Sequence, residues 1–140
     1  MTVRDYFEQV REIERRIKIK QEQILHLKEL ATRATSVIEA VRIGGTYKRS
    51  KMANAVEDMV DIEREIERDI VRLKELYKEV SAVIVKLDNE NSRELLTLRY
   101  LCNKNWEDIA DKMNFDTRSV YRIHKKALSE AERFVPKPCA

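Results

Sequence analysis

The chain has 140 residues, of which 43% are hydrophobic and 38% are charged, with only 2 glycines and 2 prolines. This composition favours long helices with solvated faces, in one domain or two small ones, over a compact mixed fold. It contains no apolar run near the ~20 residues of a membrane span, and its charged start is unlike a signal peptide. We therefore expect no membrane association and a place in the cytoplasm.

The N-terminal third carries an apolar repeat whose spacing alternates between four and three residues. Lys20 is its one polar member, and the repeat consists of Tyr6, Val10, Ile13, Ile17, Lys20, Ile24, Leu27, Ala31, Ala34, Ile38 and Val41. This spacing is typical of a helix that packs along a straight seam. Gly44 and Gly45 can take left-handed backbone angles, so we expect the helix to end there.

A second repeat of equal length follows the glycines, and Glu63 is its one polar member. It consists of Met52, Val56, Met59, Glu63, Ile66, Ile70, Leu73, Tyr77, Val80, Ile84 and Leu87. The two repeats predict an antiparallel coiled-coil hairpin over residues 1–90 with its tip at about 43–51. Lys20 and Glu63 would then set the pairing register or extend to solvent.

Further apolar residues lie beside both seams, namely Leu25, Leu30, Val37, Val60, Ile62, Val71, Leu76 and Val83. A two-helix hairpin buries only one narrow stripe on each helix, so this excess predicts a further covering helix or a second copy of the chain. We expect a homo-oligomer and favour a dimer.

Residues 91–140 predict a small domain of shorter helices. Asn91 or Ser92 can cap the first, which would place Leu95, Leu98 and Cys102 on one face. Two further helix starts follow at Asn105, with Asp108 three residues on, and at Asp116. Pro136 and Pro138 prevent the last helix from continuing.

The last two of these helices have the pattern of a helix-turn-helix. Ile109, Ala110 and Met113 would form the inner side of the first, where a small residue such as Ala110 allows a close crossing. Val120, Ile123 and Leu128 would form the inner side of the second. Asn114 tolerates the left-handed angles of the turn, and Phe115 would fill the corner.

The outer side of the last helix is basic. The outward positions are Thr117, Arg118, Ser119, Tyr121, Arg122, Lys125 and Lys126, and no acid occurs from residue 117 to 129. Residues 1–94 hold 19 Lys and Arg against 19 Asp and Glu, whereas residues 95–140 hold 9 against 6. The whole net charge of +3 therefore lies in the rear domain, as expected for a surface that meets a polyanion.

The segment "LLTLRYLCNKNWEDIADKMNFDTRSVYRIHKKAL" resembles the region-four helix-turn-helix of bacterial sigma factors. With its "YFEQVREIERRI" start, the whole chain resembles the small sigma-like transcriptional regulators of Gram-positive phages and prophages, of the ArpU/RinA type. Asn114 departs from the glycine that is frequent in that turn. The resemblance implies a sequence-specific, double-stranded DNA-binding regulator of late phage genes in the bacterial cell.

In such a protein the helix over residues 117–128 enters the major groove with its N-terminal end foremost. Arg118 and Arg122 would make bidentate contacts to guanine. The remaining contacts would come from Thr117, Ser119 and Tyr121 to bases or phosphate, from Lys125 and Lys126 to phosphates, and from Asn105 and Trp106 to the DNA backbone. Trp106 fits a core position as well, and we expect His124 to face the backbone or a phosphate without an acid–base role.

Other functions remain open. The chain could be an adaptor that binds RNA polymerase, or a structural coiled-coil protein with a capping domain. The basic residues of the tip, Arg42, Lys48, Arg49 and Lys51, fit a solvated loop or a second contact site. No nucleophile–base set, phosphate-binding glycine loop or metal-ligand cluster occurs, and neither Cys102 and Cys139 nor His26 and His124 have ligand spacing. We expect no enzyme, cofactor or metal.

Overall fold

The computed structural model describes the backbone of residues 1–41 and 45–136, and the side chains of residues 1–33 and 53–136. Every regular element in these ranges is helical, which confirms the predicted all-α fold. The elements are α1 (Val3–Val41), α2 (Gly45–Val85), α3 (Glu90–Leu96), a π-helical turn (Thr97–Leu101), α4 (Trp106–Met113) and α5 (Thr117–Ala131).

The predicted hairpin tip is shorter than expected where the structure describes it. Helix α2 begins at Gly45, so the backbone of residues 45–51 is helical. Residues 42–44 lie outside the described residues, and so do the side chains of the basic tip and of the seam members Ala34, Ile38, Val41 and Met52. The two alternatives for the basic tip, a solvated loop and a second contact site, concern side chains outside the described residues.

The chain divides into two compact units. The hairpin unit is Arg15–Arg72, and the core unit is Met1–Glu14 with Leu73–Ala140. The ends of the two long helices thus belong with the C-terminal helices, whereas the sequence patterns placed a boundary between residues 90 and 91.

Ion pairs join α1 and α2 within the hairpin unit. Lys20 Nζ lies 2.7 Å from an Asp69 carboxylate oxygen and 3.5 Å from a Glu65 oxygen, and Arg16 lies 3.5 Å from Asp69. Arg16 pairs with Asp69, whereas Lys20, further along α1, also reaches Glu65, which comes earlier in α2. The two helices therefore run antiparallel. The Lys20 and Asp69 side chains are only 18% and 13% exposed, so this pair lies at the edge of the apolar seam.

The seam of α1 follows the predicted repeat, with Tyr6, Val10, Ile13, Ile17 and Ile24 buried. The seam of α2 differs at every second position. Glu63, Ile70 and Tyr77 are exposed, and the inward positions are instead Ile62, Ile66, Asp69, Leu73, Leu76, Val80, Val83 and Leu87. This line also alternates between four and three residues; it brings Ile62, Leu76 and Val83 inward and places Asp69 beside Lys20, and Ile84 of the predicted line is buried as well. Of the two alternatives for Glu63, its exposure agrees with extension to solvent, and Asp69 is the α2 residue that pairs with Lys20.

The core unit contains the fully buried side chains of the protein's described part. Helix α3 packs against α5, and α5 packs against α4. The side chains with no exposed surface are Phe7, Val10, Val80, Leu95, Leu96, Tyr100, Ile109, Val120, Ala127 and Ala131. These residues come from five different helical elements and the π-helical turn, so the core is closed on all sides.

Helix α3 begins and ends differently from the prediction. Its cap is Asn89, whose side-chain oxygen accepts a hydrogen bond from the Ser92 amide at 3.2 Å, so neither Asn91 nor Ser92 is the cap. Past Leu96 the chain widens into the π-helical turn, in which the Cys102 amide donates to the Thr97 carbonyl at 2.9 Å. The extra residue in this turn changes which side chains face inward.

Because of the π-helical turn, Tyr100 is buried, Leu98 is half-buried and Cys102 is exposed. The prediction that Leu95, Leu98 and Cys102 share a buried face is right for Leu95 and wrong for Cys102. An α-helical period places Cys102 one turn beyond Leu98 on the same side, and the wider turn removes that coincidence.

Candidate nucleic-acid interface

Helix α5 begins where the sequence predicts. The Asp116 carboxylate accepts a hydrogen bond from the Ser119 amide at 2.7 Å. Hydrogen bonds from the hydroxyl and the amide of Ser119 lower the pKa of Asp116, so this cap is ionised at neutral pH. A charged N-cap fixes the first turn of the helix that carries the predicted DNA contacts.

The two faces of α5 separate as predicted. Val120 has no exposed surface, and it is joined on the buried line by His124, Ala127 and Ala131. Ile123 and Leu128, predicted as inner residues, are half-buried. The exposed side chains are Thr117, Arg118, Tyr121, Arg122, Lys125 and Lys126, and Ser119 is half-buried. The arginines therefore face solvent while the aliphatic side of the helix is packed.

The turn before α5 has the predicted backbone. Asn114 adopts φ 58° and ψ 39°, which is the left-handed region. The Phe115 amide donates to the Ala110 carbonyl at 3.0 Å, and Ala110 is buried at the close approach of the two helices. Phe115 itself is 37% exposed, so the prediction that it fills the corner is wrong.

The start of α4 is less suited to phosphate than the sequence suggests. The Asn105 side chain is exposed, but its oxygen already accepts a hydrogen bond from the Asp108 amide at 2.8 Å. The first turn of α4 also carries the acids Glu107 and Asp108. Their negative charges repel a phosphate from the backbone N–H groups at the start of this helix. A contact from the Asn105 side chain to the DNA backbone would therefore have to come from its NH₂ group alone.

Trp106 is half-buried and surrounded by other rings and a cation. Its ring centroid lies 4.7 Å from that of His124 and 5.2 Å from that of Tyr121, both edge to face. The guanidinium carbon of Arg99 lies 4.1 Å from the centroid of the Trp106 ring. Trp106 thus joins α4, α5 and the π-helical turn, which favours the core role over a direct DNA contact.

The predicted orientation of His124 is wrong. It was expected to face the backbone or a phosphate, yet it is buried, and its Nε2 lies 2.7 Å from the Tyr100 hydroxyl. Burial, followed by the positive charges of Arg4 and Arg99, lowers the pKa of His124 to about 4. Burial raises the pKa of Tyr100 to about 12. Both groups are uncharged at neutral pH. The spacing of residues 120, 124, 127 and 131 was the sequence signal for this buried line.

Two arginines that the sequence did not single out hold the segment before α4. Arg11 donates to the Arg99 carbonyl at 3.2 Å, and Arg99 donates to the Lys104 carbonyl at 3.1 Å. Burial, followed by the positive charge of Arg11, lowers the pKa of Arg99. These bonds satisfy carbonyl groups at the end of the π-helical turn, where the regular pattern stops. Nothing in the local sequence predicts the bond from Arg11, because it and Arg99 are 88 residues apart.

Other kinds of site find no support in the part of the chain that the structure describes. Among those residues no three His, Cys, Asp or Glu side chains are placed to hold a metal ion. No described helix is both long and apolar enough to span a bilayer. The candidate site therefore consists of the capped helices α4 and α5, the left-handed turn between them and the outward cations of α5.

Fold and site together define a small all-α protein with a helix-turn-helix. A family model described as "Protein of unknown function (DUF1492)" matches residues 33–132, and the chain belongs to this family. The match includes all residues predicted to contact DNA. Searches among curated proteins and among solved structures gave no match.

Proposed function

We propose that this protein is a sequence-specific, double-stranded DNA-binding regulator of transcription. Helix α5 would lie in the major groove over residues 117–128, with its N-terminal end foremost. The resemblance to sigma-like regulators of the ArpU/RinA type supports a more specific proposal, that it controls late genes of a phage or prophage in a bacterial cell.

The observation that carries the proposal is the basic, solvent-exposed face of α5. Arg118 and Arg122 are four residues apart, one helical turn, so both project from the same side of the helix. Both are exposed, while Val120 between them is fully buried. A helix whose buried line is fixed by packing presents its cations in a constant direction, which bidentate contacts to base edges require.

The remaining residues divide into two groups. Thr117, Ser119 and Tyr121 lie near the leading end of α5 and can contact bases or phosphate. Lys125 and Lys126 lie one turn further along and are suited to phosphates, which fix the register without distinguishing sequences.

The test begins with selection of bound sequences from random duplex DNA by the full chain. On the selected duplex, Arg118→Ala and Arg122→Ala should each weaken binding by roughly 1–3 kcal/mol and relax the sequence preference. Lys125→Ala should weaken selected and random duplexes alike and reduce the dependence of log Kd on log salt by about one.

Arg118→Lys is the matched control. It keeps the positive charge but lacks the planar fork of donors, so it should keep the salt dependence and lose the preference for guanine. If no duplex is enriched, or if the arginine variants bind the enriched duplex normally, α5 does not contact bases as proposed.

We further propose that the protein acts as a dimer formed through its hairpin unit. Several large apolar side chains of this unit are exposed, namely Ile19, Leu25, Leu30, Val56, Val60, Ile70 and Val71. Such a set on two helices is typical of a surface that a partner covers. A dimer would require two half-sites in the selected DNA. Sedimentation should give twice the chain mass, and Leu25→Glu or Val71→Glu should reduce it.

The same exposed side chains favour a second candidate, an adaptor that binds RNA polymerase. In that case polymerase retained on the immobilised protein should survive Arg118→Ala and Arg122→Ala and be lost with Val71→Glu. A DNA-binding regulator without this contact should retain no polymerase once nuclease has removed the DNA.

A further inference from the structure

A polar pair lies in the core directly behind the basic face of α5. His124 is 7% exposed, and its Nε2 is 2.7 Å from the hydroxyl of Tyr100 on the π-helical turn. The two rings are stacked with centroids 5.9 Å apart. Tyr100 has no exposed surface. A hydroxyl buried this deeply needs a partner, and the imidazole provides it.

The other members of the buried line of α5 hold the helix by packing contacts, which have no preferred bond direction. Ala127 and Ala131 are fully buried, and each contributes only a methyl group to this line. Val120 is the one aliphatic side chain on this line that is larger than a methyl group. His124 is its only member with a directional bond to another element, and a hydrogen bond weakens steeply as its angle departs from linear.

The ring contacts continue from this pair to the outer face. The edge of Trp106 meets His124, and Trp106 meets Tyr121 in turn at 5.2 Å between centroids. Tyr121 is 52% exposed and lies between the two outward arginines along the helix. Rotation of α5 would therefore disturb the rings on the DNA-facing side as well as the hydrogen bond behind them.

We propose that Tyr100 and His124 are positioning residues for DNA recognition. Their hydrogen bond fixes the rotation of α5 about its axis, and with it the directions of Arg118 and Arg122. This inference rests on the proposed function, because it assigns a role in reading DNA to groups that do not touch it. The lysines, whose phosphate contacts tolerate small shifts, depend on it much less.

The pair works in its uncharged form. Arg4 on α1 and Arg99 on the π-helical turn are the charged groups that act on His124, and both oppose a positive imidazole. Tyr100 keeps its proton because burial opposes the phenolate. At neutral pH the contact is a bond between a hydroxyl and a neutral imidazole, and its strength does not depend on salt.

The test compares Tyr100→Phe, His124→Phe and the double variant of the full chain. Each single change removes the hydrogen bond and keeps a ring. Binding to the selected duplex should weaken roughly three- to tenfold, while binding to random duplex and the salt dependence stay unchanged. The double variant should bind the selected duplex no more weakly than either single one, because all three lack the same bond.

Two controls separate positioning from loss of stability. Leu96→Ala removes a fully buried side chain outside the pair, and it should lower the melting temperature without changing the ratio of selected to random affinity. His124→Gln keeps a group that can bond to the hydroxyl, so it should restore part of the ratio. Trp106 is the only tryptophan, and its fluorescence should report the ring contact in each variant.

Several outcomes would overturn the inference. Additive losses in the double variant, or variants that melt earlier but keep the selected-to-random ratio, would show a purely structural pair. Should one phenylalanine variant fail to fold, an unchanged ratio in the other, together with altered Trp106 emission, would have the same meaning. Failure of the wild-type chain to enrich any duplex is a separate result. It would remove the proposed function, and this inference with it.

Discussion

The hairpin unit and the core unit bury their side chains to different extents. Among the described residues of the hairpin unit, the most buried apolar side chains are Ile62, Ile17, Ile24 and Ile66, which remain 7–9% exposed. The core unit has many with no exposed surface, among them Phe7. Two helices enclose a side chain from one direction only, whereas three or more close the space around it. Much of the apolar surface of the hairpin unit thus stays exposed.

The two units also treat polar groups differently. In the hairpin unit a charged pair, Lys20 and Asp69, stays partly in contact with solvent. This contact lowers the desolvation cost of the two charges. In the core unit the polar pair, Tyr100 and His124, is buried and uncharged at neutral pH. Depth therefore determines which polar chemistry is tolerated, and both pairs restrict how neighbouring helices can be arranged.

The largest expected effect comes from cavities in the core unit. Leu95→Ala should reduce the free energy of unfolding by about 3 kcal/mol, because a fully buried side chain leaves a cavity that its neighbours cannot fill. Ile66→Ala in the hairpin unit should cost about half as much, because solvent already reaches the seam. Urea unfolding followed by circular dichroism measures both. Equal losses would mean that a partner closes the hairpin seam in solution.

The sequence predicts more of the fold where one local rule decides the outcome. Asn105 and Asp116 were identified as caps from residue type and position, and Asn114 as the left-handed residue of the turn. The outward direction of the arginines followed from the buried position of Val120. In each case a single helical turn contains the cause.

Prediction failed where two patterns compete or where the cause is distant. In α2 the lines through Ile62 and Glu63 both have seam spacing, and the choice between them depends on contacts with α1, such as that of Asp69 with Lys20. The π-helical turn depends on tertiary packing, so Cys102 was misplaced. His124 was expected to face the backbone or a phosphate, and its buried contact was not predicted because the partner, Tyr100, lies 24 residues away.

The second effect tests the uncharged pair of the core unit by acidification. The pKa of His124 is lowered from 6.5 to about 4 in the fold, so between these values the unfolded chain binds the proton and the folded chain does not. The contribution of the neutral His124 to the free energy of unfolding is complete above pH 6.5 and is lost as the pH falls towards 4. The loss should be on the order of 2 kcal/mol, allowing for solvent near the ring.

His124→Phe is the control for the acid effect, because it keeps every carboxylate of the chain. The free energy of unfolding, measured by urea titration at pH 7, 5.5 and 4.5, should decline more steeply in wild type than in this variant. Parallel declines would mean that the imidazole is protonated equally in the folded and unfolded states.

The third effect concerns the charged pair of the hairpin unit. Lys20→Leu leaves the Asp69 carboxylate without its nearest cation at the seam, and should cost about 1 kcal/mol. The double variant Lys20→Leu/Asp69→Leu should recover this loss, because two apolar side chains then complete the seam. It should also broaden the distribution of assemblies in sedimentation, since the register is no longer fixed by charge. A double variant as homogeneous as wild type would assign the register to the aliphatic residues alone.

The smallest effect is at the turn of the core unit, where the cause is local and no packing is lost. Asn114 has a φ of 58°, a conformation that glycine adopts without strain but that is more flexible in the unfolded chain. These two contributions oppose each other, so Asn114→Gly should change the free energy of unfolding by less than about 0.5 kcal/mol. Asn114→Ala has a Cβ and lacks the local hydrogen bonding of the amide, and should cost about 1 kcal/mol. If Ala and Gly are equally tolerated, the backbone of this turn is held by the packing of Ala110 and the helices around it, and the local rule that identified Asn114 does not determine its conformation.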